Sequence, residues 1–193
     1  MQDSGIIRNV NNERLKGQLR KVSKLQGYLS PGVVIGVLMM NYACEILGYL
    51  FEEDIFVTVE TRSCVPDAAT ALANCTIGNN RLRIVDYGKM ALTMTKRDAP
   101  RGVRIILDPK KTIKYPAMHA WYFNERDVPH REVLDEILDA GRDILSFEYV
   151  CILIPQKERK EVVACAECGE PFIPEKGEEK CKYCTGVRYY VVC

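Results

Sequence analysis

Glu60-Thr-Arg-Ser-Cys64-Val-Pro66-Asp67-Ala68, with Asn74-Cys75-Thr76-Ile-Gly78-Asn79 and Asp86-Tyr-Gly88-Lys89 after it, is the part of the chain from which its architecture follows. Pro66 belongs at the start of a helix, where a missing N–H costs nothing, and Asp67 puts an acid in the first turn. Ala68, Ala69, Ala71, Leu72 and Ala73 carry the helix on at little entropy cost, and Gly78-Asn79-Asn80 turns the chain afterwards. A helix is therefore predicted from Cys64 to near Cys75. A thiol at a helix N-terminus feels the positive end of the dipole, which favours the thiolate, so Cys64 is the better candidate for a reactive thiol. About nine helical residues separate the two thiols by roughly 14 Å, too far for one metal to take both from the same helix. Ordinary core packing is the competing reading for both cysteines, because cysteine is among the most buried residue types. Glu60, Arg62, Asp67, Thr76, Asp86 and Lys89 crowd the ends of elements, common places for binding groups.

Short β-branched or alternating runs surround this helix: Phe56-Val-Thr-Val-Glu60, Leu82-Arg-Ile-Val-Asp86, Met90-Ala-Leu-Thr-Met-Thr95 and Val103-Arg-Ile-Ile-Leu107. The last three follow one another through brief connections and predict an antiparallel meander, with Asp86-Tyr-Gly88-Lys89 as one of its turns. Phe147-Glu-Tyr-Val-Cys151-Ile-Leu-Ile154 is a nearly continuous apolar run and reads as a strand buried on both faces, with Cys151 in the core.

Residues 13–25 form a helix with Leu15, Leu19, Val22 and Leu25 near one face; Arg14, Lys16, Arg20, Lys21 and Lys24 make its solvated side. Ser30-Pro31-Gly32 then opens an apolar segment to about Leu50, a central helix capped by Ser30. Asn41 and Glu45 in its second half are too costly for a membrane span. Gly32 and Gly36 clear one face for another backbone or a ligand, and Cys44 is core. Residues 110–128 are aromatic and suit a lid or a dimer contact, with His119 packed or facing solvent. Asp127-Val-Pro129 starts an amphipathic cover in which Val133, Ile137, Leu138 and Ile144-Leu145 recur at helical spacing. Residues 1–11 read as a loose end. The expected class is α+β, an antiparallel or mixed sheet with packed helices.

With 193 residues, 47% hydrophobic and 27% charged, the chain is ordinary globular material, and its net charge of +1 supplies no field to draw in nucleic acid or an anionic membrane. No charged-then-apolar signal pattern opens it, so its place is read as the cytoplasm and its two Cys-x-x-Cys pairs as metal ligands before disulfides. Gln156-Lys-Glu-Arg-Lys160-Glu marks a boundary between a core domain, residues 1–158, and a zinc finger, residues 159–193. In the latter, Cys165-Ala-Glu-Cys168 and Cys181-Lys-Tyr-Cys184 present four thiolates for a closed tetrahedral zinc site, with Gly169 turning the backbone beneath the sulfurs. Iron in the same cage and disulfides are the alternatives. A tail this short cannot bury much core alone, so metal supplies its folding energy. Cys193 is an unliganded extra thiol.

These motifs resemble the family of proteins related to the E-type subunit of the molybdenum or tungsten formylmethanofuran dehydrogenase. In that family a His-Gly-His-x-Cys-Pro-Gly segment opens the central helix, followed by Cys-x-x-Asp-Ala, Cys-Thr-x-Gly and Asp-x-Gly-Lys elements. Cys64-Val-Pro-Asp67-Ala68, Cys75-Thr76-Ile-Gly78 and Asp86-Tyr-Gly88-Lys89 match the last three. The first reads Gln26-Gly27-Tyr28-Leu29-Ser30-Pro31-Gly32, which keeps the glycines and proline and replaces both histidines and the cysteine. Gln, Tyr and Ser are poor transition-metal ligands beside imidazole and thiolate, so a metal in the core is in doubt. The resemblance implies an α+β core, a treble-clef zinc finger, a homodimer, dehydrogenase subunits as partners and a link to methanogenic one-carbon metabolism. Thr185-Gly-Val-Arg-Tyr-Tyr-Val-Val192 looks like a strand where a treble clef starts a helix, so a ribbon-like finger is equally compatible.

Three functions follow, in order of preference: a zinc-binding accessory protein with a small-molecule cleft; a thiol-dependent enzyme using Cys64, with Asp67, Cys75, Thr76 and Lys89 as further catalytic candidates on a small or one-carbon-carrier substrate; and nucleic-acid binding through the zinc tail and the basic helix.

Overall fold

A computed structural model describes residues 3–96, 99–153, 161–175 and 177–191. The chain divides into two compact units, residues 1–153 and 154–193. The boundary expected at 158/159 and the thiol of Cys193 lie outside the described residues.

The first unit is built on one helix, α3 (Pro31–Leu47), whose sequence is apolar on every side and whose residues from Pro31 to Met40 are all buried. Ser30 Oγ accepts the Val33 N–H at 3.2 Å and Gly48, at φ 65°, closes the other end, so the predicted central helix has both its caps. Before it come α1 (Asp3–Asn9) and α2 (Glu13–Gln26), the latter capped by Asn12 and ended by left-handed Gly27. The segment expected to be loose is helical from Asp3: Ile6 and Ile7 of α1 are buried in the core, their apolar gain outweighing the ordering cost of one short helix.

Five strands form one mixed sheet in the order β2-β1-β3-β4-β5, with β1 (Ile55–Val59), β2 (Leu82–Ile84), β3 (Ala91–Lys96), β4 (Arg101–Leu107) and β5 (Leu145–Cys151). The helix read from Pro66 is α4 (Val65–Ala73), which connects β1 to β2 and makes that pair parallel. The expected meander is thereby corrected. β3, β4 and β5 do pair antiparallel, but β2 and β3 flank β1 instead of each other. The Asp86-Tyr-Gly-Lys segment steps over the end of β1, where the Glu60 carbonyl accepts the N–H groups of Tyr87 and Lys89 at 3.0 Å.

Three further helices, α5 (Pro109–Thr112), α6 (Pro116–Tyr122) and α7 (His130–Ala140), link β4 to β5; the last stops at Gly141, short of the expected Ile144-Leu145, which fall in a 3₁₀ turn, Gly141–Ile144, and at the start of β5. The aromatic segment is thus helical, and His119 Nδ1 is 2.8 Å from Thr112 Oγ1. The apolar run at 147–151 is an edge strand, not a doubly buried one: Phe147 is 41% and Tyr149 73% exposed, and Cys151 is at the surface. Among the described residues, no helix packs on β5 as closely as α3 packs on β3 and β4. An apolar run cannot by itself distinguish burial on two faces from an uncovered edge.

The second unit carries a two-stranded hairpin, β6 (Val163–Ala164) and β7 (Pro171–Phe172). The strand expected after Cys184 is absent among the described residues; turns closed by Thr185 N–H to Cys181 O and Val187 N–H to Lys182 O take its place.

Candidate functional site

The polar end of the core is set by how closely α3 and α4 approach. A Cβ added to Gly36 would stand 2.9 Å from Ala68 Cβ and 3.3 Å from Val65 Cα, so only glycine allows this contact. One turn earlier, a Cβ on Gly32 would meet Cys64 Sγ at 3.3 Å. The half-buried Cys64 thiol therefore lies against the first turn of α3 while its own backbone opens α4, and two helix N-termini flank it.

Beside it runs a chain of hydrogen bonds. Ser30 Oγ donates to Gln26 Oε1 at 2.7 Å, and Gln26 Nε2 donates to Asp67 Oδ2 at 3.1 Å. The end of α2, the start of α3 and the first turn of α4 are thereby tied together. Gln26 and Ser30 stand where the resembling pattern has a histidine and the cysteine, and here they bind each other; Tyr28, at the second histidine position, is 52% exposed. Nothing in sequence spacing pairs residue 26 with residue 67, so the relay is legible only in three dimensions.

At the same end of the sheet, the buried Glu60 carboxylate accepts from Arg104 Nε at 2.6 Å and Nη2 at 2.8 Å, and Arg104 Nη1 reaches Glu148 at 3.2 Å. The guanidinium holds Glu60 below the usual carboxylate range. The Lys89 loop closes over this end through the Glu60 carbonyl, Arg62 pairs with Asp86 at 3.1 Å, and Lys89 Nζ is 5.9 Å from the Tyr87 ring centre.

Cys75 and Thr76 are at the other end of α4, about 14 Å along its axis. Cys75 is fully buried, its Sγ donates to the Ile55 carbonyl at 3.5 Å, and burial pushes the thiol up. Thr76 and Asn79 exchange hydrogen bonds at 3.0 and 3.1 Å and build a loop. Of the five catalytic candidates, then, Cys64 and Asp67 share one end with the Lys89 loop, and Cys75 and Thr76 do not join them. Cys44 is core as expected, and burial pushes it to about 12.

In the second unit, Cys165, Cys168, Cys181 and Cys184 bring their Sγ atoms within 4.8 Å of one another, among the described residues the one group of His, Cys, Asp or Glu so gathered. The local fold explains it. Left-handed Gly169, φ 75°, lets its N–H reach the Cys165 carbonyl at 2.9 Å, and Ala166 N–H to Glu179 O at 3.0 Å draws the second pair under the first. Backbone N–H groups of Cys168, Cys181 and Glu167 directed at Cys165 pull its thiol down to about 6. The donor chemistry fits a four-thiolate metal. A Zn–S bond of ~2.3 Å gives tetrahedral sulfur edges of about 3.8 Å. Cys168 and Cys181 stand 3.9 Å apart. A metal held by these four cysteines would have its four positions filled by protein and would serve a structural role.

No helix among the described residues is long and apolar enough to cross a membrane.

The chain is 28% identical to a tungsten formylmethanofuran dehydrogenase FmdE-like protein from Syntrophus aciditrophicus, whose crystal structure superimposes with a TM-score of 0.76 over 92% of this chain and 95% of that one. It is also 29% identical over 93% of its length to a probable S-adenosyl-L-methionine-binding protein of Archaeoglobus fulgidus. The chain spans about half, 55%, of that relative. The family model described as FmdE, molybdenum formylmethanofuran dehydrogenase operon, matches residues 25–152. That match takes in the Gln26–Ser30–Asp67 relay, Cys64 and the whole five-stranded sheet, and the chain belongs to the FmdE family.

Proposed function

We propose that the chain is a zinc-binding accessory protein linked to one-carbon metabolism, with an α+β core of residues 1–158 and a zinc-finger domain of residues 159–193. One zinc sits on Cys165, Cys168, Cys181 and Cys184 and holds the finger together. The observation that carries this reading is the meeting of four Sγ atoms at thiolate-cage spacing. Membership of the FmdE family supports the metabolic link and a setting beside dehydrogenase subunits. The protein works as a homodimer in the cytoplasm, and its core offers a small-molecule cleft without a metal of its own. Zinc K-edge absorption on the full chain tests the centre: four sulfur neighbours at about 2.3 Å are expected, and a first shell containing nitrogen or oxygen overturns it.

A second reading rests on Cys64. A thiol flanked by two helix N-termini suits a nucleophile acting on a small or one-carbon-carrier substrate, with Asp67 and Lys89 at the same end. Iodoacetamide labelling against pH decides it: Cys64 modified only on unfolding removes the enzyme reading.

A further inference from the structure

A cavity of about 650 Å³ opens far from Cys64, between the first half of α2 and the second half of α3. α2 leans on α4 more than on α3, and the gap this leaves is bridged by a reciprocal amide pair. Gln18 Nε2 donates to Asn41 Oδ1 at 2.8 Å and Asn41 Nδ2 to Gln18 Oε1 at 2.7 Å, with Gln18 only 6% exposed. Each carboxamide spends one donor and one acceptor on its partner and keeps a second N–H and a second lone pair. Tyr42 and Tyr49 also line the cavity, on a floor that includes Leu15 and Leu38.

A smaller cavity, about 310 Å³, adjoins it. Tyr42 and Arg142 line both, and the smaller one adds Lys111, Lys114 and Tyr115. Arg142 lies 5.8 Å over the Tyr42 ring and pairs with Glu45, and Lys111 Nζ is held by the Leu145 carbonyl at 2.6 Å. Around the two cavities four cations, Arg14, Lys111, Lys114 and Arg142, face two carboxylates, Glu45 and Asp143. The lining therefore carries a local excess of two positive charges.

Two aromatic rings, spare amide donors and acceptors, and a cationic recess next door suit a flat heterocycle carrying a dianionic group. The larger volume is within the ~300–1,000 Å³ of small-ligand pockets. We propose that the double cavity binds a nucleoside monophosphate, its base in the larger part beside Tyr42, Tyr49 and the Gln18–Asn41 pair, its phosphate in the smaller part against Lys111, Lys114 and Arg142.

Titration of the full chain with AMP, adenosine and inorganic phosphate, by calorimetry and by amide NMR, tests this. AMP binds at least tenfold tighter than adenosine or phosphate alone and shifts the side-chain NH₂ signals of Gln18 and Asn41. Lys114 is an exposed residue, so Lys114→Ala folds normally; it weakens AMP about tenfold and leaves adenosine unchanged. Added salt weakens AMP and spares adenosine. Phosphate binding as tightly as AMP, AMP binding that leaves the Gln18 and Asn41 signals in place, or no saturation at millimolar AMP overturns the proposal.

Discussion

The four-cysteine cluster of the second unit and the polar end of α3 and α4 in the first are built by opposite means. In the tail, sulfur atoms gather without a core to hold them, drawn together by the backbone turns at Gly169 and Ala166. In the core, Gln26, Ser30 and Asp67 satisfy one another through neutral and charge-assisted hydrogen bonds, and the packing of Gly32 and Gly36 holds them in place. One region gathers donors that suit an ion, and the other closes on its own side chains. Fold and site are separate matters: Gly27, Pro31 and Gly32 shape the backbone here, and the Gln26 and Ser30 side chains beside them bond to each other.

The largest expected effect falls on the tail. Chelation, or the double change Cys181→Ser with Cys184→Ser, abolishes the ordered signals of residues 161–191 in an amide NMR spectrum and leaves those of the first unit in place. The stake is large, because structural zinc contributes about 10–16 kcal/mol of apparent binding energy in finger peptides at neutral pH.

Next comes the Glu60–Arg104 pair. Arg104→Ala leaves a buried carboxylate without its partner and lowers unfolding free energy by about 3 kcal/mol in urea melts. The pH dependence has a definite sign. Arg104 depresses the folded pKa of Glu60, so the pair's stabilisation is present above the ordinary glutamate value of 4.5 and is lost as pH falls through the lower folded value. Wild type therefore loses stability on acidification through that window, and Arg104→Ala flattens the slope there.

Gly36→Val tests the close approach of the helices. It forces a side chain into Ala68 and Val65 and costs about 1–3 kcal/mol by overpacking. The relay comes last: Gln26→Ala breaks two hydrogen bonds at the core's polar end and costs about 1 kcal/mol. A cost equal to that of Arg104→Ala would make the relay a structural pillar and erase the contrast between the two regions.

How much of this was legible in the sequence depends on the range of each interaction. Ser30-Pro31, Pro66-Asp67 and the two Cys-x-x-Cys pairs are local signals, and α3, α4 and the cysteine cluster were readable from them. The order of the strands was not, because α4 returns β2 to the far side of β1 and no feature of residues 82–95 records that crossover. The apolar run at 147–151 carries no mark of the helix layer that stops short of it. Within the core cluster, Cys64 and Asp67 share a turn of helix and were legible together; Gln26 is 41 residues from Asp67 and was not. Cys75 and Thr76 match a family element, yet α4 carries them to the wrong end for a common site with Cys64.

Metal content per chain, by elemental analysis of protein purified without chelator, decides whether the metal is confined to the tail. One equivalent of zinc is expected in the wild-type chain and none in the full-length chain carrying Cys181→Ser and Cys184→Ser. An equivalent of metal retained in that variant would place a second site in the core and refute the confinement.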